Sequence, residues 1–295
     1  MGKTKKNVGA LARRAGVSFR VWAPFAQQVA VTGSFNYWGE HQLESELDGY
    51  WSAFVPGALP GLEYKFVIKN GARTYYRNDP RALHFTISAG NSIIAAPSFD
   101  WEDDSFTAVP LEQQVIYELH VGTFNRPDPA LTGTFSDICD KLDHLAGLGI
   151  NMIELMPINS MLMDRGWGYA IDYIFAIESL YGGRYGFLQF VKAAHKRGIG
   201  VIVDVVFNHF GPDNSLDLWQ FDGWNENGTG GIYFYNDWRA ETPWGNTRPD
   251  FGRREVQQYI LDSIRMWVHD CRVNGLRLDS TIYIRNAKGY NNDPS

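Results

Sequence analysis

The sequence predicts a multi-domain protein in which an all-β sandwich precedes an α/β unit built around a parallel sheet. In residues 15–95, short stretches of alternating apolar and polar residues are separated by turns rich in Gly, Pro, Asn and Asp, which indicates several short strands. From residue 113 onward, continuous apolar runs alternate with amphipathic helical patterns, which is typical of βαβ units. Residues 96–112 are acidic, contain proline and have no period, so we interpret them as a linker.

The composition limits the partners and the compartment that we expect. A net charge of -6 over 295 residues argues against nucleic acid as a partner. The basic residues near the start predict a solvated tail over residues 1–14. Two cysteines, Cys139 and Cys271, are too few for a disulfide framework, so we expect reduced thiols and a cytoplasmic protein. The sequence contains no apolar run of the ~20 residues that a membrane span requires, and no signal peptide is visible, so no membrane partner is expected.

In the first region, alternation defines a buried face. VSFRVWA places Val17, Phe19 and Val21 on one side of a strand, and YWSAFVPG and EYKFVI repeat the pattern. Two aromatic rings, Trp38 in SFNYWGE and Trp51 in YWSAF, are candidates for stacking on a flat ligand because tryptophan has a large face with a polar handle. Packing in the core is the alternative for either ring.

In the second region, four apolar runs predict four parallel strands connected by helices. The runs are QVIYELHVGTF, INMIELMPI, GIGVIVDVVFNH and GLRLDSTIYI, and the helical patterns are SDICDKLDHLAGLG, FLQFVKAAHKRG and REVQQYILDSIRMWVHDC. The connection over residues 209–252 is much longer than a routine crossover, which predicts a functional insertion. Within it, the three indoles at 224, 238 and 244 could bind a ligand, although packing of the loop on itself is favoured for each.

Polar side chains follow all four predicted strands at their carboxyl ends, where ligands bind in parallel α/β proteins. Because burying such groups without partners costs free energy, we expect them to converge on one another or on a polar ligand. A network of purely structural hydrogen bonds is the alternative. The residues are His120, Thr123, Glu154, Asn159, Asp204, Asn208, His209, Arg277 and Asp279.

Arg277 and Asp279 lie two apart on the fourth strand and therefore point to the same side of it. A guanidinium beside a carboxylate stabilises its ionised form. An ionised carboxylate is suited to act as a nucleophile or to stabilise a cation. A plain ion pair is the structural alternative.

Three segments in order, GWGYAIDY, DVVFNH and GLRLD, resemble motifs of the α-amylase superfamily, glycoside hydrolase family thirteen. Residues 15–95 resemble the family forty-eight carbohydrate-binding module that precedes such catalytic domains. VIYELHVGTF, LDHLAGLGI, ELMPI and FNHFGP are similar to segments of glycogen branching enzymes and malto-oligosyltrehalose trehalohydrolases. The resemblance implies that residues 113–295 are the N-terminal half of a (β/α)8 TIM-type barrel, truncated after its fourth strand.

The resemblance also implies roles for single residues. Asp279 matches the nucleophile of a retaining glycosidase, and Arg277 matches the arginine that orients it. Tyr169 matches the ring that stacks on the sugar. His209 matches a residue that contacts the sugar, and Asp204 matches a residue that supports the strand end. Trp38 and Trp51 are candidate glucan-binding rings of the module. Asn208 lies where some amylases ligate calcium, but branching-type members often lack that ion, so neither metal nor cofactor is expected.

The sequence departs from the family pattern in one respect that concerns activity. The general acid, a glutamate after strand five, and a second aspartate after strand seven have no match, and none of Glu118, Glu154 and Glu178 occupies a matching motif. We therefore expect the chain to be inactive alone. Branching of α-1,4-glucans in glycogen synthesis is the favoured function. The alternatives are a trehalohydrolase or amylase-type hydrolase, and a non-catalytic glucan-binding protein. Unpaired edges of the first and fourth strands predict self-association.

Overall fold

The computed structural model describes residues 7–88, 90–161, 166–212 and 215–286. They form two facing β-sheets, followed by a four-stranded parallel sheet with helices, so the predicted order of an all-β unit and an α/β unit is confirmed. The strands are β1 (Gly9–Arg13), β2 (Gly16–Trp22), β3 (Gln28–Gly33), β4 (His41–Gln42), β5 (Glu44–Ser45), β6 (Tyr50–Pro56), β7 (Glu63–Asn70), β8 (Arg73–Arg77), β9 (Ser92–Ile93), β10 (Ile116–Leu119), β11 (Met152–Leu155), β12 (Asn159–Met161), β13 (Ile171–Ile177), β14 (Gly200–Val205) and β15 (Gly275–Leu278). The helices are α1 (Val121–Phe124), α2 (Phe135–Cys139), α3 (Leu142–Gly147), α4 (Gly183–His195), α5 (Arg254–Arg265) and α6 (Ile282–Arg285).

The sandwich consists of a sheet with strand order β1-β2-β6-β5 and a sheet with order β4-β3-β7-β8, with β9 paired to β7. The alternating residues of β2 and β7 are buried between them, as their spacing predicts. The Phe19 ring contacts Tyr64 edge-on at 5.1 Å and Phe66 at 6.5 Å. Aromatic contacts between the two sheets therefore form the centre of this core.

The first strand corrects the prediction of a basic tail over residues 1–14. Gly9–Arg13 pair antiparallel with β2 in a tight hairpin, in which Arg13 lies opposite Gly16. Backbone pairing with β2 is enough to form this strand, because an edge strand buries little side-chain surface of its own. The sandwich therefore begins before residue 15.

The four predicted parallel strands are present and lie in chain order, β10-β11-β14-β15. Their registers are continuous: Leu119 lies opposite Leu155, Leu155 opposite Val203, and Val203 opposite Leu276. Their carboxyl ends consequently meet at one edge of the sheet, where the predicted polar residues lie.

The helices differ from the predicted ones in their bounds. The pattern SDICDKLDHLAGLG forms two short helices, α2 and α3, rather than one. Thr134 caps α2 in a reciprocal pair with Asp137, and the chain leaves regular geometry near Lys141. Helix α4 begins earlier than predicted, at Gly183, and α5 continues into a π-helix over Met266–Asp270.

The insertion over residues 209–252 has little regular structure but a packed interior. Phe210, Phe221 and Phe234 are fully buried within it, and the residues Trp238–Ala240 form a 3-10 turn. Such a loop is ordered by its own side chains rather than by a backbone ladder.

The insertion also contacts the sandwich closely. The Arg77 guanidinium donates hydrogen bonds to the carbonyls of residues 219–221 at 3.1–3.2 Å. The backbone amide of Phe25 donates to the buried carboxylate of Asp222 at 3.0 Å, and the Phe25 ring stacks on Trp224 at 4.5 Å. We refer to these contacts as the sandwich–insertion seam.

The predicted linker, residues 96–112, has no helix or strand up to residue 110, and its last two residues begin a 3-10 turn, Leu111–Gln113. Side-chain contacts attach it to α4. Glu102 accepts from Lys192 at 2.6 Å and from Lys196 at 2.9 Å. Asp104 lies 2.9 Å from Nδ1 of the buried His195. Two lysine–glutamate ion pairs and the contact between Asp104 and His195 therefore hold the connection against the parallel-sheet unit.

Within the described ranges, no helix combines the length and the apolar character needed to span a bilayer.

Candidate active site

The candidate site lies at the carboxyl ends of β14 and β15. Asp204 and Arg277 are register partners on these neighbouring strands, and Asp279 follows β15 directly, with its backbone amide donating to Val205 at 3.1 Å. Asp204 is fully buried and Asp279 is 9% exposed. The pairing of two parallel strands thus brings together residues that are about 75 positions apart.

A continuous chain of hydrogen bonds connects four of the predicted site residues. The Tyr169 hydroxyl donates to Oδ2 of Asp204 at 2.8 Å. One nitrogen of Arg277, Nη1, donates to the same oxygen at 2.8 Å and to Oδ1 of Asp279 at 2.8 Å. The guanidinium therefore bridges two carboxylates, as an arginine that orients a carboxylate nucleophile would.

The electrostatics of this chain favour a charged guanidinium at Arg277. Burial lowers the pKa of Arg277, but the hydrogen bonds with Asp204 and Asp279 outweigh it and raise that pKa above its ordinary value. Burial raises the pKa of Asp204, and hydrogen bonds from Arg277 and Tyr169 oppose the increase. Arg277 remains a permanent cation between the two carboxylates.

Tyr169 is positioned by the glycine that precedes it. Gly168 has a φ of +90°, and a Cβ at this position would lie 2.3 Å from the carbonyl oxygen of Pro157. Only glycine fits both the left-handed backbone and this close approach. The turn therefore directs the Tyr169 side chain back toward Asp204.

His209 is buried beside Asn208. The side-chain amide nitrogen of Asn208 lies 2.9 Å from Nδ1 of His209. Burial lowers the pKa of His209 to about 4, although the charge of Asp279 and a hydrogen bond with the Tyr169 backbone act in the opposite direction. At neutral pH the imidazole is uncharged.

Asn208 does not lie in a set of ligands that fits calcium. Its Oδ1 is buried and has no hydrogen-bond partner among the described residues. Calcium, however, takes six to eight oxygen ligands including carboxylates, and the described part of the chain contains no group of three or more His, Cys, Asp or Glu side chains that could hold a metal ion. No step of the chemistry is therefore assigned to a metal.

The remaining strand-end residues take different positions. Glu154 lies on β11, which pairs with β14, and burial together with the charges of Glu118 and Asp204 raises its pKa. His120 contacts Thr123 and the Tyr181 hydroxyl, both at 3.0 Å, and has no role in the chain of hydrogen bonds described above.

Glu178 lies outside the site. Its carboxylate accepts from Ser88 at 2.5 Å and from the backbone amide of Leu180 at 2.9 Å. Glu178 therefore stabilises the contact between the sandwich and the start of α4, rather than a position beside Asp279.

The two rings predicted for the sandwich differ in exposure. Trp38 is 46% exposed and has a φ of 63°. Trp51 is half-buried against the sandwich core, and its indole nitrogen donates to the carbonyl of Ala23 at 3.0 Å. Trp51 thus has a structural contact, whereas Trp38 is open to solvent.

Sequence reasoning missed one contact with the site. The Trp244 indole stacks on the His209 ring with centroids 4.6 Å apart, and Tyr283 of α6 contacts Trp244 edge-on at 5.4 Å. The sequence Pro-Trp-Gly after Thr242 predicts a turn, but a predicted turn does not indicate which residues the tryptophan contacts.

Comparisons with known proteins agree with this geometry. Residues 118–226 match the model of the alpha amylase catalytic domain, and residues 7–82 match carbohydrate-binding module 48, the isoamylase N-terminal domain. The chain belongs to the α-amylase family. In this family the parallel strands of the chain are part of a catalytic domain, and its sandwich is a carbohydrate-binding module.

Two relatives in sequence carry the names of a trehalohydrolase and a branching enzyme. The chain is 34% identical over 270 residues to a malto-oligosyltrehalose trehalohydrolase from Saccharolobus solfataricus, covering 90% of this chain and 44% of that protein. It is 35% identical over 279 residues to a 1,4-alpha-glucan branching enzyme from Deinococcus radiodurans, covering 90% of this chain and 39% of that enzyme.

Solved structures show the same fold. A protein from Salmonella typhimurium, described as an alpha amylase, superposes with a TM-score of 0.81 at 31% identity, covering 96% of this chain and 45% of that one. A pullulanase from Paenibacillus barengoltzii in complex with maltotetraose has a TM-score of 0.80 at 22% identity, covering 95% and 49%, and supports the fold alone. The chain spans less than half the length of these relatives.

Proposed function

We propose that this chain contributes the nucleophile side of a retaining glycosidase site that acts on α-1,4-glucans, and that the reaction is glucan branching in glycogen synthesis. The observation that supports this is the arrangement of Asp279, which lies at a strand end, is hydrogen-bonded to Arg277 at 2.8 Å and is the last residue of the motif GLRLD. A carboxylate oriented in this way is suited to attack an anomeric carbon.

In the proposed first step, an oxygen of Asp279 forms a bond to C1 of a glucose unit while the C1–O4 bond breaks. The departing O4 takes a proton from a carboxylic acid located about 5–5.5 Å from the nucleophile. Glu118 and Glu154 do not lie at motif positions. We therefore assign the acid to the part of the catalytic domain that the relatives have outside the matched region.

In the second step, the 6-hydroxyl of another glucan chain attacks C1, releases Asp279 and returns its proton to the acid, which creates an α-1,6 branch. Water in place of the hydroxyl would give hydrolysis. Tyr169 and His209 border the reacting sugar in this proposal, and Asp204 keeps Arg277 and Tyr169 in place through its two 2.8 Å hydrogen bonds.

The test uses the protein in its natural length with amylose as substrate. We expect a product from which a debranching enzyme releases short chains, and we expect Asp279→Asn to abolish its formation. Asp217→Asn, which alters a carboxylate near the sandwich that is 26% exposed, is the control and should retain activity. Full activity of Asp279→Asn would contradict the proposed nucleophile.

The likeness to the trehalohydrolase, at 34% identity, supports hydrolysis of a malto-oligosyltrehalose as a second candidate. Release of trehalose from that substrate, together with new reducing ends and no new branches on amylose, would identify it. A third candidate, glucan binding without catalysis, is supported by the match to the carbohydrate-binding module. Retention on glycogen that depends on Trp38, without any turnover, would identify that function.

We also assign the protein to the cytoplasm as part of this proposal. Cys139 and Cys271 are both free thiols, which agrees with a reducing compartment, and glycogen is the substrate that we propose there.

A further inference from the structure

The segment that follows β14 depends on the insertion for part of its backbone hydrogen bonding. Strand β14 ends at Val205, but the chain stays buried over residues 206–210. A buried backbone amide or carbonyl needs a hydrogen-bond partner, because leaving it without one costs free energy. At Phe210 one residue of the insertion, Thr247, bonds to both groups.

The Thr247 hydroxyl makes two hydrogen bonds with the same backbone residue. The Phe210 amide donates to Oγ1 of Thr247 at 3.1 Å, and the hydroxyl donates to the Phe210 carbonyl at 2.7 Å. The Phe210 amide also donates to the Thr247 carbonyl at 3.3 Å. A hydroxyl can accept and donate at once. Thr247 is 0% exposed, so solvent does not compete for these bonds.

Thr247 is itself held by the interior of the insertion. The amide of the next residue, Arg248, donates to the Ala240 carbonyl at 3.3 Å, and the Tyr235 amide donates to the Arg248 carbonyl at 3.2 Å. Two further segments of the insertion therefore fix the backbone that carries Thr247.

The anchored backbone directly follows His209. The Gly211 amide donates to the carbonyl of Ile171 in β13 at 2.8 Å, so both residues after the histidine are held, one by the insertion and one by β13. The imidazole contacts the Asn208 amide at 2.9 Å and hydrogen-bonds with the Tyr169 backbone. Such contacts are directional, so they depend on where the backbone places the ring.

We propose that Thr247 is a positioning residue of the candidate site: its hydroxyl fixes the backbone of Phe210 and thereby the orientation of the His209 imidazole. The consequence for catalysis rests on the proposed function, in which His209 borders the reacting sugar. The positioning itself does not depend on that function and can be measured without substrate.

A merely structural role would be to stabilise the insertion without affecting His209. Ser263→Ala is the matched control for this role. The Ser263 hydroxyl connects α5 to β13 by donating to the Ile174 carbonyl, also at 2.7 Å, and Ser263 is 0% exposed. Thr247→Val and Ser263→Ala each delete a buried hydroxyl that donates to a carbonyl. We expect both to lower the thermal midpoint by roughly 2–8 °C.

The first readout is the titration of His209, followed by NMR of the histidine rings in the 295-residue chain. The His209 signals are identified by their absence from His209→Gln. Burial lowers the pKa of His209 from 6.5 to about 4. Release of the segment should admit water to the ring, so we expect Thr247→Val to raise this pKa toward 6.5. Thr247→Ser keeps the hydroxyl, and we expect it and Ser263→Ala to titrate as the wild type does.

The second readout is turnover of amylose by the protein in its natural length. We expect Thr247→Val to lower kcat about ten- to hundredfold with KM changed less than about twofold, because a misplaced active-site group costs rate even where substrate still binds. Thr247→Ser should restore kcat to within about threefold of the wild type. Ser263→Ala should keep the wild-type kcat at a temperature below its unfolding transition.

A wild-type titration of His209 in folded Thr247→Val, with a thermal midpoint as low as that of Ser263→Ala, would overturn the positioning role. If Thr247→Val does not fold, Thr247→Ala replaces it, because its smaller side chain places no second methyl group against the carbonyl, and the same readouts decide. A shifted titration with unchanged kcat would support the positioning and contradict the place of His209 in the proposed reaction. Absence of any turnover by the wild-type enzyme would refute the proposed function, and the titration would still decide the role of Thr247.

Discussion

The Tyr169 hydroxyl donates a 2.8 Å hydrogen bond to the fully buried carboxylate of Asp204. Tyr169→Phe removes this donor and leaves the buried carboxylate with Arg277 as its remaining partner at Oδ2. We expect the free energy of unfolding to fall by about 1–3 kcal/mol, the range for loss of a hydrogen bond to a buried charged group. Chemical denaturation of the variant and the wild-type chain measures the difference.

Tyr76→Phe is the matched control, because Tyr76 is 59% exposed on the sandwich, and its loss of a hydroxyl should change stability little. Equal stability of both variants would show that the bond between Tyr169 and Asp204 contributes nothing measurable.

Gly168 places Tyr169 by adopting a backbone conformation that other residues avoid. Gly168→Ala forces a Cβ to within 2.3 Å of the Pro157 carbonyl oxygen at a φ of +90°, so we expect a loss of about 1–3 kcal/mol of stability. Gly166→Ala is the control, because its Cβ would approach no atom closer than 4.0 Å. The result is measured as a difference in thermal midpoint, and equal midpoints for both variants would contradict the steric argument.

Asp172 predicts a pH dependence of stability. Its side chain is 3% exposed, and burial, together with the charges of Asp217 and Glu178, raises its pKa from 3.8 to about 8. Because the folded state then holds a proton that the unfolded state has released, its contribution to stability is complete below pH 3.8 and is lost as pH rises toward 8. The slope is at most about 1.4 kcal/mol per pH unit.

Asp172→Asn removes this titration while preserving the shape of the side chain. We expect the unfolding free energy of the wild type to decline relative to that of the variant between pH 5 and about 8, within the interval set by the two pKa values. Denaturation midpoints at several pH values provide the comparison. Parallel profiles for the two proteins would contradict the raised pKa.

Arg77 should contribute more to the stability of the sandwich–insertion seam than other arginines of the sandwich do. Arg77→Ala deletes three hydrogen bonds to the carbonyls of residues 219–221. We expect a loss of about 2–3 kcal/mol, given that bonds from charged donors are the stronger ones. Arg73→Ala on the same strand alters an exposed residue and should have little effect. Calorimetry that finds the two variants alike would refute this importance of Arg77.

The outer strands of the parallel sheet predict self-association of the 295-residue chain. In the described part of the structure, β10 pairs with β11 alone and β15 with β14 alone, and Ile116 and Leu278 are 45% and 43% exposed. Such edges pair readily with another chain. We expect light scattering to detect oligomers that Ile116→Lys and Leu278→Lys diminish, whereas Leu47→Lys on the sandwich does not. A monodisperse wild-type monomer would contradict this prediction.

The sequence was informative where local rules apply. Alternation predicted the buried faces of β2 and β7, and the apolar runs predicted four parallel strands, because burial on both faces requires such runs. The polar residues at the strand ends could be predicted to converge, since parallel strands place their carboxyl ends together. The hydrogen-bonded group of Tyr169, Asp204, Arg277 and Asp279 follows from that rule together with the family resemblance.

What could not be predicted depends on contacts between distant, irregular segments. Trp244 reaches His209 across 35 residues of the insertion, and no periodicity describes the path between them. The strand Gly9–Arg13 was mistaken for a tail because its pairing with β2, rather than its own pattern, gives it structure. The break between α2 and α3 arises from local backbone geometry near Lys141, which a continuous apolar spacing conceals.

The sandwich–insertion seam has a consequence for how the chain folds. The amide of Phe25 bonds to Asp222, which lies 197 positions later in the sequence, and Asn70 bonds to the same residue across 152 positions. During synthesis from the N-terminus the sandwich is complete long before its partner leaves the ribosome. Closure of so large a loop is slow, so we expect the docking face of the module to stay accessible to chaperones until residue 222 has emerged.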